Sequence, residues 1–346
     1  MRFLITGGSG YFGGELKRAL LQEGHHCVNI DLAEDADTHL HLVSIKGSVT
    51  DAALLETIFT KQGPFDGIFH AAAQLQLTRK TRPLFYATNV DSTQLLAEQA
   101  VQQGVKQFVF ISSNCVYGKI NGLNIPEETP LHPFEVYGQT KVASETLLQR
   151  FKDKMNVIIF RPPTIIGEGR LGILSIVFDF IREGRKIGLV GDGENRYQFV
   201  YSNDFIHACK EAVRYEKSGI FNIGCDNIPT LNQLFQTLID QVGSSSRLYH
   251  LLPSLAVPVM KLCFKWGISP LGPYQYNMIM NTYSGDTTRL RKELNWSPTK
   301  SNVDMLLDNY RYYDTHYEQI HARHNQLSGH RKAGQGGILK LMKWMS

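Results

Sequence analysis

Residues 1–14 read MRFLITGGSGYFGG, a short apolar strand that runs directly into a glycine-rich turn. Gly7, Gly10 and Gly13 recur at every third position, and an amphipathic stretch covers residues 15–23. Glycine at these places allows a tight turn, lets a backbone approach a pyrophosphate and lets a helix pack closely on a strand. The helix N-terminus then offers free N–H groups and the positive end of its dipole to phosphates. This stretch therefore predicts a strand, turn and helix that bind a dinucleotide.

A second apolar run ends in the residue that selects the cofactor. Residues 26–30 read HCVNI and are followed by Asp31, 18 residues after Gly13. An acidic side chain at this point accepts both ribose hydroxyls of NAD and repels the 2′-phosphate of NADP. Since no arginine is adjacent to Asp31, we predict NAD. The predicted cofactor contacts in this part of the chain are Gly7, Gly10, Tyr11, Phe12, Gly13 and Asp31.

Apolar strand candidates alternate with helical patterns through the first half of the chain. The predicted strands cover residues 2–6, 27–30, 67–71, 107–112 and 157–161. The predicted helices include residues 51–60, 92–103 and 137–152. This alternation is typical of an α/β fold with a Rossmann-type, doubly wound parallel sheet. We predict an NAD-binding domain over residues 1–165 and a smaller C-terminal substrate domain, mainly residues 166–315, that partly returns to the sheet around residues 219–223.

Composition and charge limit the classes of function. An apolar content of 42% and a charged content of 20% are typical of a soluble globular protein. The five cysteines lack metal-site spacing, so we expect reduced thiols, no bound metal and a cytoplasmic protein. The predicted strand at residue 2 leaves no room for a signal peptide. The net charge of +4 arises beyond residue 315, so we expect no nucleic-acid partner.

Residues 316–346 are predicted to form a basic tail with a short amphipathic end. Its histidines are interpreted as part of a solvated linker. Near the end, one helical face carries Ile338, Leu341, Met342 and Met345, and lysines lie opposite. This pattern indicates a peripheral membrane contact. Docking of the same end onto the body of the protein or onto a second subunit is equally compatible with it.

The stretch from residue 248 to residue 273 is markedly apolar, but lysines and prolines interrupt it. A membrane span needs about 20 uninterrupted apolar residues, so we do not predict one. Two interpretations stay open. The stretch is either an ordinary pair of core helices or a lid over an apolar substrate, to which Phe264, Trp266 and Tyr274 would contribute.

Tyr137 and Lys141 form a YxxxK pair at the start of a predicted helix. Four residues place the phenol and the ammonium group on one helical face. A tyrosine with an ordinary pKa near 10 is a poor base at neutral pH unless a nearby cation favours the phenolate, and we expect Lys141 to be that cation. Ser113 follows the strand at residues 107–112 and is placed to hydrogen-bond the same substrate oxygen as Tyr137.

These motifs together resemble the extended short-chain dehydrogenase/reductases of the NAD-dependent epimerase/dehydratase family, over about residues 1–310. Residues 6–13 are similar to the family's TGxxGxxG, residues 70–73 to its HxAA segment and residues 161–162 to its RP step. Asp286 with residues 294–298, LNWSP, is similar to its late D…LGWxP signature.

The resemblance implies that Ser113, Tyr137 and Lys141 are the catalytic triad and that Tyr137 is the general acid and base. It also implies hydride transfer at a secondary alcohol. Besides Tyr137 and Lys141, it places four further residues at or near the cofactor: Ala71, Ala72, Asn89 and Pro162. A homodimer formed through the two helices that follow the serine strand and the tyrosine is a further implication.

Several departures from the family pattern limit the class of substrate that we expect this chain to bind. The family's dehydratases carry an acidic pair directly after the catalytic hydroxyl, where this chain has Asn114 and Cys115. Neither side chain can do carboxylate chemistry, so we do not expect dehydration. Sugar-nucleotide members often have asparagine where this chain has Thr164, and arginine where it has Tyr197, with Arg196 one position earlier. The candidate substrate contacts are Asn114, Thr164, Arg196 and Tyr197.

The sequence alone leaves three possible functions open. The first is a nucleotide-sugar epimerase, in which the hydride returns to the opposite face and no NADH accumulates. The second is an oxidoreductase similar to 3β-hydroxysteroid dehydrogenases, acting on a lipid-like alcohol and suited to the loss of the diphosphate-binding arginine. The third is a non-catalytic NAD-binding regulator. The presence of all three triad residues argues against this function.

Overall fold

The computed structural model describes residues 1–75, 81–172, 174–266 and 273–322. Its strands are β1 Arg2–Thr6, β2 His26–Asp31, β3 Leu42–Lys46, β4 Gly67–His70, β5 Gln107–Ile111, β6 Gly122–Ile125, β7 Asn156–Arg161, β8 Thr164–Ile166, β9 Ile187–Val190, β10 Phe199–Tyr201, β11 Gly219–Asn222, β12 Leu248–Leu251 and β13 Tyr283–Gly285. Its α-helices are α1 Tyr11–Gln22, α2 Ala52–Gln62, α3 Arg82–Tyr86, α4 Ser92–Gln102, α5 Val136–Leu148, α6 Leu174–Arg182, α7 Ser202–Arg214, α8 Leu231–Gln241, α9 Pro253–Lys265, α10 Pro273–Met280, α11 Thr288–Leu294, α12 Asn302–Thr315 and α13 Tyr317–Ala322.

Seven parallel strands form the main sheet, in the order β11-β7-β5-β4-β1-β2-β3. The chain starts in the middle of the sheet, runs outward to β3, then crosses over and builds the other half from β4. Because strand order reverses at β1 and β4, the carboxyl ends of these two strands open a crevice in which ligands of such sheets bind. The predicted Rossmann-type α/β fold is confirmed.

Side chains alternate between the two faces of the sheet, and each face has its own core. Phe3 and Ile5 of β1 pack with α1, α7 and α11, whereas Leu4 packs with α2, α4 and α5. The strands are buried on both faces, which is why they read as continuous apolar runs. The five predicted strands all lie in this sheet. Prediction from apolarity missed β3, because this edge strand is largely exposed and only partly apolar.

The second half of the chain builds a third core and also completes the sheet. The third core lies among α6, α8, α12 and the short strand pairs β8–β10, β9–β12 and β6–β13. The strand expected around residues 219–223 corresponds to β11, which pairs with β7. The division of the chain at residue 165 into cofactor and substrate domains remains a proposal.

Two expectations about the later part of the chain were wrong. Within the apolar stretch 248–273, β12 pairs with β9, but α9 has no buried residue among those described, so it is not a core helix, and the lid over an apolar substrate stays a prediction. Trp266 is 64% exposed. Residues 316–322 are not a loose linker either, because α13 is anchored by buried Ile320 and by the stacking of His316 on Tyr312. Tyr274 as a side chain and residues 323–346, including the amphipathic end, lie outside what the structure describes.

Candidate active site

The glycine turn has the geometry that its spacing predicts. Gly7 has a φ of +76°, and a Cβ atom there would lie 2.8 Å from the backbone nitrogen of Ala72. At Gly13, a Cβ atom would lie 2.3 Å from the carbonyl oxygen of Gly7, so α1 can approach the turn only without a side chain. Gly10 is the N-cap of α1 and, among the described residues, no side chain caps this helix end. The first-turn amides are thus available to an anion.

Asn29 holds this turn in place, a role that the sequence analysis missed. Its Oδ1 accepts a hydrogen bond from the backbone N–H of Gly8 at 2.9 Å, and its Nδ2 donates to the Ser9 hydroxyl at 3.1 Å. The signal was a buried amide in the middle of an otherwise apolar strand, where an unpaired polar group would be costly.

Asp31 stands at the carboxyl end of β2, beside the glycine turn. Its two carboxylate oxygens accept hydrogen bonds from the backbone N–H groups of Ser9 and Ala33, each at 3.0 Å. These contacts orient the carboxylate, and each oxygen keeps a lone pair for a further donor.

His70, at the end of β4, belongs to a hydrogen-bond chain that fixes the loop carrying Ala71 and Ala72. Ala72 N–H donates to Thr6 Oγ1 at 3.1 Å, which lies 2.7 Å from His70 Nδ1. On the other side, His70 Nε2 lies 2.9 Å from the Thr93 hydroxyl, which donates onward at 2.6 Å. Because the Thr93 hydroxyl donates onward, it accepts from His70, and this places the ring proton on Nε2. Complete burial lowers the pKa of His70 to about 3, so the ring is neutral and serves as a structural link.

Asn89 lies in a π-helical turn, residues 87–91, between α3 and α4. Its side chain accepts from Gln74 N–H at 2.7 Å and donates to the Thr140 hydroxyl of α5 at 2.9 Å. Thr140 in turn donates to the Tyr137 carbonyl at 2.8 Å. Asn89 therefore connects the loop after β4 with the helix that carries Tyr137. A π-turn inside a helix often marks a functional site.

Ser113 is buried at the end of β5 and caps the short 3₁₀ turn at residues 114–117. Its hydroxyl accepts from the backbone N–H of Cys115 at 3.2 Å and lies 3.1 Å from Cys115 Sγ, to which it donates. The hydroxyl therefore has Cys115 as its hydrogen-bond partner.

Tyr137 and Lys141 share one face of α5, which begins with Glu135 as its N-cap. Glu135 accepts hydrogen bonds from the backbone N–H groups of Tyr137 and Gly138 at 2.7 and 2.6 Å. The Lys141 ammonium lies 5.7 Å from the centre of the Tyr137 ring. It donates to the Ile111 carbonyl at 2.6 Å, beside Ser113 at the end of β5.

Burial shifts the pKa values of both groups, and the expected effect of Lys141 on the tyrosine stays a prediction. Burial lowers the pKa of Lys141 to about 7, although Glu145 opposes this shift. Burial also raises the pKa of Tyr137, and Arg170 is the cation that acts in the opposite direction. In both cases the physical reason is the desolvation of the charged form.

A buried ion pair fastens α5 to β7 next to Pro162. Arg161 Nη2 lies 2.7 Å from Glu145 Oε2, and both side chains are almost fully buried. The Pro162 carbonyl accepts from the backbone N–H of Asn114 at 3.0 Å. The RP step therefore ties the loop after β7 to the loop that carries Ser113.

The candidate substrate residues fall into two groups. Asn114 Nδ2 donates to the Tyr197 hydroxyl at 2.9 Å, beside Ser113, and Thr164 donates to the Met278 sulfur at 3.4 Å. Arg196 instead donates to the Ile228 carbonyl at 2.6 Å. Its guanidinium therefore secures a loop of the C-terminal half.

Arg170 is a cation of this cleft that the sequence analysis missed. Its guanidinium lies 5.3 Å from the centre of the Tyr11 ring, at the first residue of α1. Burial lowers the pKa of Arg170 to about 10, and Tyr11 and Tyr137 oppose the shift. Among the described residues, no carboxylate pairs with it. An arginine in a loop between short elements carries no periodic signal, so only the folded chain reveals its position.

The residues present fit NAD. The close approach at Gly7 and Gly13 leaves a backbone cradle that any side chain would fill. The uncapped start of α1 suits the pyrophosphate, and the oriented Asp31 carboxylate suits the ribose hydroxyls. Ala71, Ala72 and Pro162 lie in loops that continue strands of the same sheet edge.

Comparisons with known proteins agree with this site. Residues 3–224 match the model of the NAD dependent epimerase/dehydratase family. A UDP-glucose 4-epimerase of Mycolicibacterium smegmatis is 28% identical over 317 residues, which are 86% of this chain and 94% of that protein. A 3 beta-hydroxysteroid dehydrogenase/Delta 5→4-isomerase of Mycobacterium tuberculosis is 31% identical over 220 residues, 60% of this chain and 58% of that protein.

The fold has a solved counterpart. The crystal structure of UDP-glucose 4-epimerase with UDP-glucose from Thermotoga maritima superposes with a TM-score of 0.76 at 23% identity. The superposition covers 92% of this chain and all of that one. The family match spans well over half of the chain and includes the glycine turn, Ser113, Tyr137 and Lys141. The chain is therefore an enzyme that belongs to the NAD-dependent epimerase/dehydratase family.

Proposed function

We propose that this protein is a nucleotide-sugar epimerase that works by hydride transfer at a secondary alcohol of the sugar. The observation that carries the proposal is that Tyr137, Lys141 and Ser113 gather at the carboxyl end of β5, on the same edge of the sheet as the glycine turn after β1. NAD, held by the glycine turn and Asp31, would supply the hydride acceptor and donor for inversion at the carbinol carbon. The sequence relationship with a UDP-glucose 4-epimerase over 94% of that protein supports the substrate class.

Tyr137 is proposed as the general acid and base. As the phenolate, it accepts the hydroxyl proton of the substrate when the carbonyl forms, and as the resulting phenol it returns that proton when the carbonyl is reduced. The Ser113 hydroxyl polarises the same oxygen once it turns away from Cys115. Lys141 positions the tyrosine and the cofactor ribose. Asn114 and Cys115 offer no carboxylate for the removal of water, which favours epimerisation over dehydration.

An oxidoreductase acting on a lipid-like alcohol is the second candidate. Tyr197 is 4% exposed, is hydrogen-bonded to Asn114 and packs at a tilt against the rings of Phe199 and Tyr283, so the surroundings of Asn114 are aromatic. The relationship with a 3β-hydroxysteroid dehydrogenase supports this alternative over 60% of the chain. A homodimer, a cytoplasmic location and a membrane contact of the C-terminal end remain predictions.

Calorimetric titration of the NAD-loaded protein with UDP separates the two candidates. We expect micromolar binding of UDP, followed by epimerisation of UDP-sugars without accumulation of NADH. Absence of UDP binding, together with appearance of NADH on apolar hydroxy compounds, would establish the second candidate instead.

Tyr137→Phe tests the assigned chemistry. We expect loss of nearly all turnover, a factor of about 10² to 10⁴, with unchanged affinity for NAD. Tyr249→Phe is the matched control, because this tyrosine is 40% exposed in β12 and should leave turnover unchanged. If the wild-type protein binds NAD but neither it nor Tyr137→Phe turns over any sugar nucleotide or apolar alcohol, the protein is an NAD-binding regulator.

A further inference from the structure

Helix α9 presents a continuous apolar face to solvent. Leu255, Val259, Leu262 and Trp266 are 68%, 59%, 44% and 64% exposed. Their spacing places all four within one narrow stripe of the helix, since each residue advances the helix by about 100°. Leu252, directly before the helix, is 66% exposed and extends the stripe. Exposed apolar faces of this kind mark contact surfaces.

The charged residues of the stretch that contains this face all have one sign. No aspartate or glutamate occurs between Asp240 and Asp286. The same stretch contains Arg247, Lys261 and Lys265, and both lysines are exposed along one edge of the apolar stripe. An apolar face bordered by lysines and ended by an exposed tryptophan is the pattern of a helix that lies in a membrane interface. No helix within the described residues is both long and apolar enough to cross a bilayer.

A second copy of the chain is a poorer partner for this face. A twofold contact joins the same patch of two copies, so Lys261 and Lys265 would meet their own counterparts with no acidic residue of the stretch to neutralise them. Anionic lipid headgroups provide the missing negative charge. The sequence after Glu318 supports the same choice, because it contains five lysines and arginines and no acidic residue.

We propose that the protein docks on anionic membranes through the exposed face of α9, defined by Leu252, Leu255, Val259, Leu262 and Trp266. This proposal goes beyond the proposed reaction and does not depend on it.

The docking face is linked to the active site through α10. The Tyr276 hydroxyl donates to the Met260 carbonyl of α9 at 3.1 Å. Two residues later, the Met278 sulfur accepts from the Thr164 hydroxyl, directly after Pro162 and Pro163. Docking therefore brings the substrate side of the cleft near the lipid surface, which suits a substrate held at that surface.

Vesicle sedimentation of the full chain tests the proposal. Vesicles of phosphatidylglycerol and phosphatidylcholine in equal parts are compared with phosphatidylcholine alone. We expect binding only to the anionic vesicles, reduced about fivefold by each of Lys261→Gln and Lys265→Gln. The triple variant Leu255→Ser/Val259→Ser/Leu262→Ser should reduce binding at least about tenfold. Leu40→Ser/Leu123→Ser is the matched control, because both leucines are exposed elsewhere and should leave binding unchanged.

A fluorescence measurement addresses the same face without disturbing it. In a Trp344→Phe background, only Trp266 and the buried Trp296 remain. We expect the emission to shift to shorter wavelength on addition of the anionic vesicles, since Trp266 leaves water.

Three results would overturn the proposal. One is the absence of binding to anionic vesicles. Another is full binding by the triple variant together with loss of binding when residues 323–346 are removed, which would make the C-terminal end the anchor. The third is a dimer that the triple variant converts to a monomer in gel filtration, which would make α9 a subunit interface.

Discussion

At the scale of single residues, burial decides how the charged groups of the cleft behave. Burial lowers the pKa of Lys141 to about 7 and raises the pKa of Tyr137, because it desolvates both groups. Arg170 stays charged, because even a lowered pKa of about 10 lies well above neutrality. Arg170 lies beside the first turn of α1, and no carboxylate in the described part of the chain pairs with it. It is therefore suited to pair with a phosphate group.

We expect Arg170→Gln to raise the Kd for NAD by about tenfold or more, since a hydrogen bond to a charged group contributes about 1.5–3 kcal/mol. The physical reason is the loss of a cation next to the pyrophosphate site at Tyr11. Calorimetric titration with NAD measures the effect, which should weaken at high salt.

Arg185→Gln is the control for this change. Arg185 pairs with Glu183 outside the cleft, so its substitution should leave NAD affinity unchanged. An Arg170→Gln variant with wild-type affinity for NAD would show that Arg170 does not contact the pyrophosphate.

At the scale of elements, contacts at its start and along its length hold helix α5 in position. Glu135 caps its start, and the Glu145–Arg161 pair fastens its middle to β7. The π-turn with Asn89 packs against the same helix. The position of Tyr137 thus depends on contacts from three separate parts of the chain.

Glu145→Gln should lower the free energy of unfolding by about 3–5 kcal/mol, because it leaves the Arg161 guanidinium buried without its counter-ion. Urea denaturation measures the loss. Lys46→Gln removes one partner of an exposed ion pair with Glu34 and should leave the urea midpoint unchanged. Equal midpoints for Glu145→Gln and the wild type would mean that this ion pair does not stabilise the fold.

At the scale of the whole molecule, the second half of the chain completes the first. Phe205 of α7 stacks on Phe12 with ring centres 4.3 Å apart, and Trp296 donates to the Asp204 carbonyl at 2.7 Å. Phe221 of β11 and Trp296 belong to the same core as Phe3. The hydrophobic layer on one face of the sheet is therefore completed by residues beyond 200.

A chain that ends at residue 165 should fail to show a cooperative thermal transition, because it lacks β11, α7 and α11 and exposes the core around Phe3. Circular dichroism during heating measures this property. A chain that ends at residue 322 is the control and should unfold cooperatively. Cooperative unfolding of the 1–165 chain would show that the cofactor half folds independently.

Local patterns in the sequence determined the glycine turn, the cofactor choice through Asp31, the YxxxK pair and every strand of the main sheet except the exposed edge strand β3. These features depend on neighbours within a few residues and on a period of apolar side chains, and both are visible in one dimension. Tertiary structure alone decided the lowered pKa of Lys141, the approach of Arg170 to Tyr11 and the exposure of α9. Each of these depends on which distant segments cover a side chain, and burial of that kind leaves no local pattern in the sequence.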